Sequence, residues 1–135
     1  MNRDETAGRP VDDVAREGME VTRHMAETAA NAAAGMFGRD VTIIDLTEIV
    51  SYTDYFVVAS AETDRQMRRI VEEVIDKMRE EGYRPRSRNY EEGSVWISLD
   101  FLDVVVHIFT DEGRDYYRLE ALWRAAPQEK WAEEE

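Results

Sequence analysis

Residues 95–109 read Val-Trp-Ile-Ser-Leu-Asp-Phe-Leu-Asp-Val-Val-Val-His-Ile-Phe. Alternation sends Val95, Ile97, Leu99 and Phe101 to one face of a strand, and Trp96, Ser98 and Asp100 to the other. On a second strand Val104, Val106 and Ile108 face one way, and Val105, His107 and Phe109 the other. Only Leu102 and Asp103 stand between the two runs, so the pattern predicts an antiparallel hairpin. The Val95 face is a core face. If Trp96 and His107 share the opposite face, an aromatic-rich patch lies away from the helices, and such patches often mark protein interfaces. The alternative is that the terminal or the first helix covers that face and makes Trp96 core.

Outward from the hairpin, the chain reads as one α/β domain. Toward the N-terminus, Asp64 to Glu81 is the clearest helix. Thr63 and Gln66 give a capping-box start, Met67, Ile70, Val71, Val74, Ile75 and Met78 a buried stripe, and Gly82 a stop. Val41 to Leu46 and Tyr55 to Ser60 are strands by their β-branched and aromatic content. Met19 to Met36 is a helix whose Ala-rich end allows close approach to a sheet. Residues 1–18 read as a flexible polar tail with a helical turn near Val11 to Arg16. After Pro85 a mixed segment leads to a turn at Glu91 to Gly93. Past the hairpin, Glu112 to Ala125 reads as one helix with Tyr116, Leu119 and Trp123 in a stripe broadened by Tyr117 and Leu122. Of the adjacent tyrosines, Tyr117 is expected to be the more exposed. Residues 126–135 read as a frayed acidic tail. The order α-β-β-α-β-β-β-α points to a mixed five-stranded sheet flanked by helices.

Composition narrows the function. The 135 residues carry 43% hydrophobic side chains, with three Trp, six Tyr and four Phe, which suffices for a core in one domain. No apolar run is long enough for a membrane span and no signal core opens the chain, so a soluble cytoplasmic protein is expected. The absence of Cys excludes disulfides, thiolate metal sites and cysteine nucleophiles. Thirty acidic against seventeen basic residues give a net charge of −13, which disfavours a freestanding nucleic-acid binder and suits a basic protein partner.

Little in the chain points to catalysis. His107, near Asp100 and Asp103, could act as a general base or metal ligand, but a strand His bonded to a neighbouring carboxylate is the expected state. No P-loop, G-x-G-x-x-G cradle or nucleophile elbow is present. Gly93-Ser94 followed by Asp100 and Asp103 hints at nucleotidyl transfer with magnesium, Asp45 assisting. Yet the two Asp are three apart across a turn, and Gly93-Ser94 runs into a strand where a phosphate loop would open a helix. Arg84, Arg86 and Arg88 alternate, as a charged strand edge does; contact with RNA phosphate is the other option.

Two blocks resemble the ribosomal silencing factor (Iojap) family. The first is Ser51-Tyr-Thr-Asp54-Tyr55-Phe56-Val-Val-Ala-Ser60 with Asp64-Arg65-Gln66. The second runs from Trp96 through Asp100, Asp103 and His107 to Phe109, and on into Arg114-Asp-Tyr116-Tyr117-Arg-Leu119-Glu120-Ala-Leu122-Trp123. The resemblance spans Met19 to Trp123, and the domain is drawn at residues 19–125. It implies a nucleotidyltransferase-like fold without a catalytic site, with no cofactor and no metal. It further implies binding to the large ribosomal subunit at large-subunit ribosomal protein fourteen and a steric block to joining of the small subunit; a minor ribosomal RNA contact would fall to Arg84, Arg86 and Arg88. A homodimer in the free protein is also implied. The contact surface carried over is Trp96, Leu99, Asp100, Asp103, His107, Tyr116, Tyr117 and Leu122, although alternation puts Leu99 on the core face. Two positions depart from the family pattern: Leu102 stands where glycine is common, and Ser98 where an apolar residue is more usual. The remaining readings are a metal-dependent nucleotidyltransferase-like enzyme and a dimeric module for another partner.

Overall fold

A computed structural model describes residues 11–89, 91 and 93–131, with side chains from residue 17 onward. In chain order the elements are α1 (Val11–Gly35), β1 (Arg39–Asp45), β2 (Tyr55–Ala61), α2 (Asp64–Glu80), β3 (Ser87–Asn89), β4 (Trp96–Asp100), β5 (Val104–Thr110), α3 (Asp111–Tyr117), α4 (Leu119–Leu122) and β6 (Gln128–Lys130). The strands form one mixed sheet in the order β3-β4-β5-β2-β1-β6, with β2 and β5 parallel and every other pair antiparallel. Among the described residues no helix is long and apolar enough to cross a membrane.

The hairpin alternation is what organises the two faces. Ile97, Leu99, Val104, Val106 and Ile108 point to the side where α1 and α2 lie, joined by Val57 and Ala59 from β2 and Val41 and Ile43 from β1. Ala26, Ala29, Ala30 and Ala33 of α1 are fully buried there, because only a small side chain lets a helix backbone sit this close to a sheet. From α2, Met67, Ile70, Val71, Val74 and Met78 complete the layer. Thr63 caps α2 by accepting the Gln66 N–H at 3.0 Å. The Gln66 side chain reaches back to the Glu62 N–H rather than that of Thr63. Gly82, at φ 96, turns the chain out of the helix.

The sheet's other face carries a smaller core of Ile44, Leu46, Phe56, Val58 and Phe109, closed by Leu119 and Ala126. The C-terminal segment therefore covers β1, β2 and part of β5 and leaves β4 half open. This is an answer between the two arrangements that the sequence allowed for Trp96.

Several expectations change. The sheet has six strands, not five, because Gln128–Lys130 pairs antiparallel with β1 instead of fraying. Trp131 N–H donates to the Val41 carbonyl at 2.8 Å and its indole N–H to Asn31 Oδ1 at 2.8 Å, which fastens that end. The first helix begins at Val11, so residues 11–18 are helical rather than a tail with one turn. Residues 1–10 and 132–135, also read as tail, lie outside the described residues. The terminal helix is two short helices broken at Arg118, which sits at φ 50.

Candidate functional site

The half-open face of β4 and β5 is where the sequence-selected residues meet. Cross-strand register places Trp96 opposite Phe109, Ser98 opposite His107 and Asp100 opposite Val105. Their rings continue into the C-terminal segment as an unbroken series. Tyr116 meets Tyr117 at 4.9 Å between centroids, Tyr117 meets Trp96 at 4.7 Å, and Trp96 meets His107 at 5.7 Å. His107 meets Phe56 at 4.5 Å, and Phe56 meets Trp123 at 5.8 Å. Mixed tilted and edge-on packing of this kind stabilises each pair beyond its buried area.

Exposure sorts the set. Tyr116 is 79% exposed, Leu122 73% and Tyr117 44%, while Trp96 is half-buried. Tyr116, not Tyr117, is thus the more exposed of the pair. The break at Arg118 explains this: it turns Leu119 into the smaller core and swings Tyr116 out, where a continuous helix would have stacked the two on one stripe. Leu99 is wholly buried in the larger core, on the opposite side of the sheet from Trp96, and presents nothing to a partner.

His107 is also buried, and its partner is not a carboxylate. Trp96 Nε1–H donates to His107 Nδ1 at 3.0 Å, so Nδ1 carries the lone pair and the ring proton sits on Nε2. Nε2 is buried and has no partner among the described residues. Burial pushes the imidazole from its ordinary value of 6.5 down to about 4; the Asp100 carboxylate acts in the opposite sense and is the weaker cause. The unfolded chain therefore binds more protons between those two values. Stability rises with pH through this window, is complete above about 6.5 and is lost as pH falls toward 4. The interval is equivalent to roughly 3 kcal/mol. Urea unfolding at pH 7 and pH 5 should show a steeper loss in the native chain than in His107→Phe; equal losses would mean that His107 does not fold as the buried neutral form.

The acidic end of the site is built differently. Asp100 accepts the Leu102 N–H on Oδ1 at 2.7 Å and faces Arg86 Nε at 3.2 Å on Oδ2, so it shapes the turn as well as charging it. Asp103 supplies its carbonyl to the N–H groups of Asp54 and Tyr55, at 2.8 and 3.2 Å. Asp45 is engaged by Thr47, whose hydroxyl donates at 2.6 Å. Asp45, Asp100 and Asp103 do not converge: among the described residues no group of three or more His, Cys, Asp or Glu is placed to hold a metal ion. Of the alternating arginines, Arg88 sits on the exposed edge strand β3 and Arg86 pairs with Asp100.

One organising residue lies outside the set chosen from sequence. Arg114 donates to Ser60 Oγ and to the Asp40 carbonyl, both at 2.8 Å, and from Nε to Glu120 at 2.6 Å. It ties α3 to the ends of β1 and β2 and clamps α4 across the Arg118 break, which fixes the direction of both tyrosines. The sequence signalled only that Arg114 lies in the second family block; its six-residue separation from Glu120 gives no pairing on one straight helix, so the contact depends on the break at Arg118.

Residues 19–135 match the family described as ribosomal silencing factor during starvation. A ribosomal silencing factor of Bacillus subtilis is 33% identical over 99 residues, spanning 73% of this chain and 84% of its own length. One from Chromobacterium violaceum is 30% identical over 105 residues, spanning 78% and 85%. A crystal structure of a Chromobacterium violaceum protein superposes with a TM-score of 0.72 at 28% identity, over 83% of this chain and 92% of that one. With the family matched over nearly the whole chain, and with its fold and its two sequence blocks in place on one sheet, the chain belongs to the ribosomal silencing factor family.

Proposed function

We propose that this chain is a non-enzymatic, cytoplasmic repressor of translation. It binds the large ribosomal subunit at large-subunit ribosomal protein fourteen and thereby blocks joining of the small subunit. The observation that carries this reading is the half-open strip from Tyr116 and Tyr117 across Trp96 to Asp100 and Asp103. From Trp96 to Asp100 it runs roughly 13 Å along one strand at ~3.3 Å per residue. Large aromatic anchors beside carboxylates suit a basic protein surface, the rings supplying burial and the acids steering and register. The names of the relatives point the same way. Binding alone performs such a function, since a body seated on the joining face excludes the other subunit with no bond made or broken. Tyr116, Tyr117 and Leu122 are the contacts offered by the C-terminal segment, and His107 supports Trp96 from beneath. The same apolar strip would serve a homodimer of the free protein, in competition with the ribosome.

Sucrose gradients with purified subunits test this. The chain should co-sediment with the large subunit and, added first, should prevent formation of the joined ribosome. Trp96→Ala should weaken that association by about 2 kcal/mol or more, roughly thirtyfold. A folded Trp96→Ala variant that binds unchanged would put the contact elsewhere, and no association of the native chain with active subunits would dismiss the reading.

A further inference from the structure

The turn that joins β4 to β5 holds a leucine in a conformation that suits glycine. Asp103 N–H donates to the Phe101 carbonyl at 3.0 Å across Leu102, whose φ is 80. A three-residue ring with positive φ at its centre is the γ-turn of the rare, strained kind. Glycine adopts it freely, whereas a side chain with a Cβ crowds its own carbonyl. The turn is gripped from both sides, by Asp100 Oδ1 on the Leu102 N–H and by the Asp54 and Tyr55 N–H groups on the Asp103 carbonyl. Leu102 is therefore held in place. Leu102 is 47% exposed, so much of its surface is not recovered by burial in the core.

A strained residue that contributes neither turn propensity nor full burial has its use directed outward. The surroundings say toward what. The β1–β2 connection, stitched to the turn through Asp54 and Tyr55, brings Tyr52 (62% exposed) and Ile49 (43% exposed) to the same end of the sheet. Asp54 and Asp103 give that end a negative rim, in a chain already at −13, while Asp100 is paired with Arg86 beside it. Phosphate would be repelled here, whereas lysine and arginine side chains around an apolar socket would be held.

We propose that Leu102, with Tyr52 and Ile49, is an apolar anchor of the protein-binding surface, seated in a socket of a basic protein partner and setting this chain's specificity for it. This rests on the proposed docking to the large subunit and extends that surface beyond the aromatic strip, to three residues at the other end of the sheet.

The test compares the native chain with Leu102→Gly and Leu102→Asn on purified large subunits, alongside urea unfolding of each. Asparagine tolerates positive φ, so both variants keep the turn and remove the apolar group. The expected result is a midpoint equal to or above the native one, together with affinity for the large subunit reduced about tenfold. A purely structural leucine would not separate the two readouts. Native chain that binds, with both variants binding as tightly, overturns the anchor while leaving the docking reading intact. Native chain that fails to sediment with the subunit overturns both. A second arm uses large-subunit RNA stripped of protein: native binding there, lost in Leu102→Gly, would assign the socket to RNA and overturn the basic protein as partner.

Discussion

Gly113→Ala is expected to destabilise the fold by about 3 kcal/mol, at the upper end of what overpacking costs. In an isolated helix the same change would stabilise by about 1 kcal/mol. Here the sign reverses because of what lies against the glycine. A Cβ on Gly113 would come within 2.4 Å of the Val95 carbonyl oxygen, 3.1 Å of Val95 Cβ and 3.2 Å of Thr110 Oγ1. The Val95 carbonyl cannot retreat freely, since it accepts the Thr110 N–H at 3.0 Å. Thr110 in turn caps α3 by accepting the Gly113 N–H at 2.9 Å. Relief requires backbone movement of the segment before β4 or of the whole of α3, and either parts Tyr117 from Trp96. Chemical denaturation gives the stability, and near-ultraviolet circular dichroism reports the loss of ring packing. A stabilised Gly113→Ala protein would show that α3 does not press on this segment.

Leu99→Ala should cost about 3 to 4 kcal/mol, as expected for a large apolar residue removed from a packed interior. Leu99 is fully buried, lies opposite Val106 in the β4–β5 register and belongs to the larger core that the two long helices close. Its neighbours are strands and helices that cannot collapse into the space, so the cavity term adds to the lost transfer energy. The protein that remains folded should bind the large subunit as the native chain does. This is the reverse of Trp96→Ala, which removes a half-buried ring at the surface. Weakened binding by folded Leu99→Ala at native stability would place Leu99 at the interface after all.

The pair Trp96 and Leu99 shows how far alternation alone could go. The odd positions of β4 are core and the even ones are not, and that follows from the two-residue repeat of a strand without any partner being known. The family resemblance offered Leu99 as a contact; alternation opposed it, and burial agrees with alternation. The helix α2 was legible for a similar reason, because its cap, apolar stripe and terminal glycine all lie within one stretch of sequence. Tyr116 and Tyr117 mark the opposite limit. Their relative exposure depends on Arg118 adopting a left-handed conformation that no local residue preference dictates.

Local pattern thus determined the hairpin, its core face, α2 and α1 from Met19 onward, because each depends on side chains a few positions apart. Tertiary structure alone decided the rest. The sixth strand is three exposed polar residues, Gln128–Lys130, and forms because β1 offers an unpaired edge that its backbone can satisfy. The Arg118 break exists because Arg114 reaches Ser60, Asp40 and Glu120 at once, and because Leu119 gains burial that a straight helix would deny it. His107 took an indole as partner in place of a carboxylate because register set Trp96 within reach and Asp100 toward the turn. The β1–β6 pairing and the reach of Arg114 to Ser60 and Asp40 join segments far apart in the chain, so the energy that selects them has no counterpart in the local sequence, whereas the Trp96–His107 bond needed only the exact register within one hairpin.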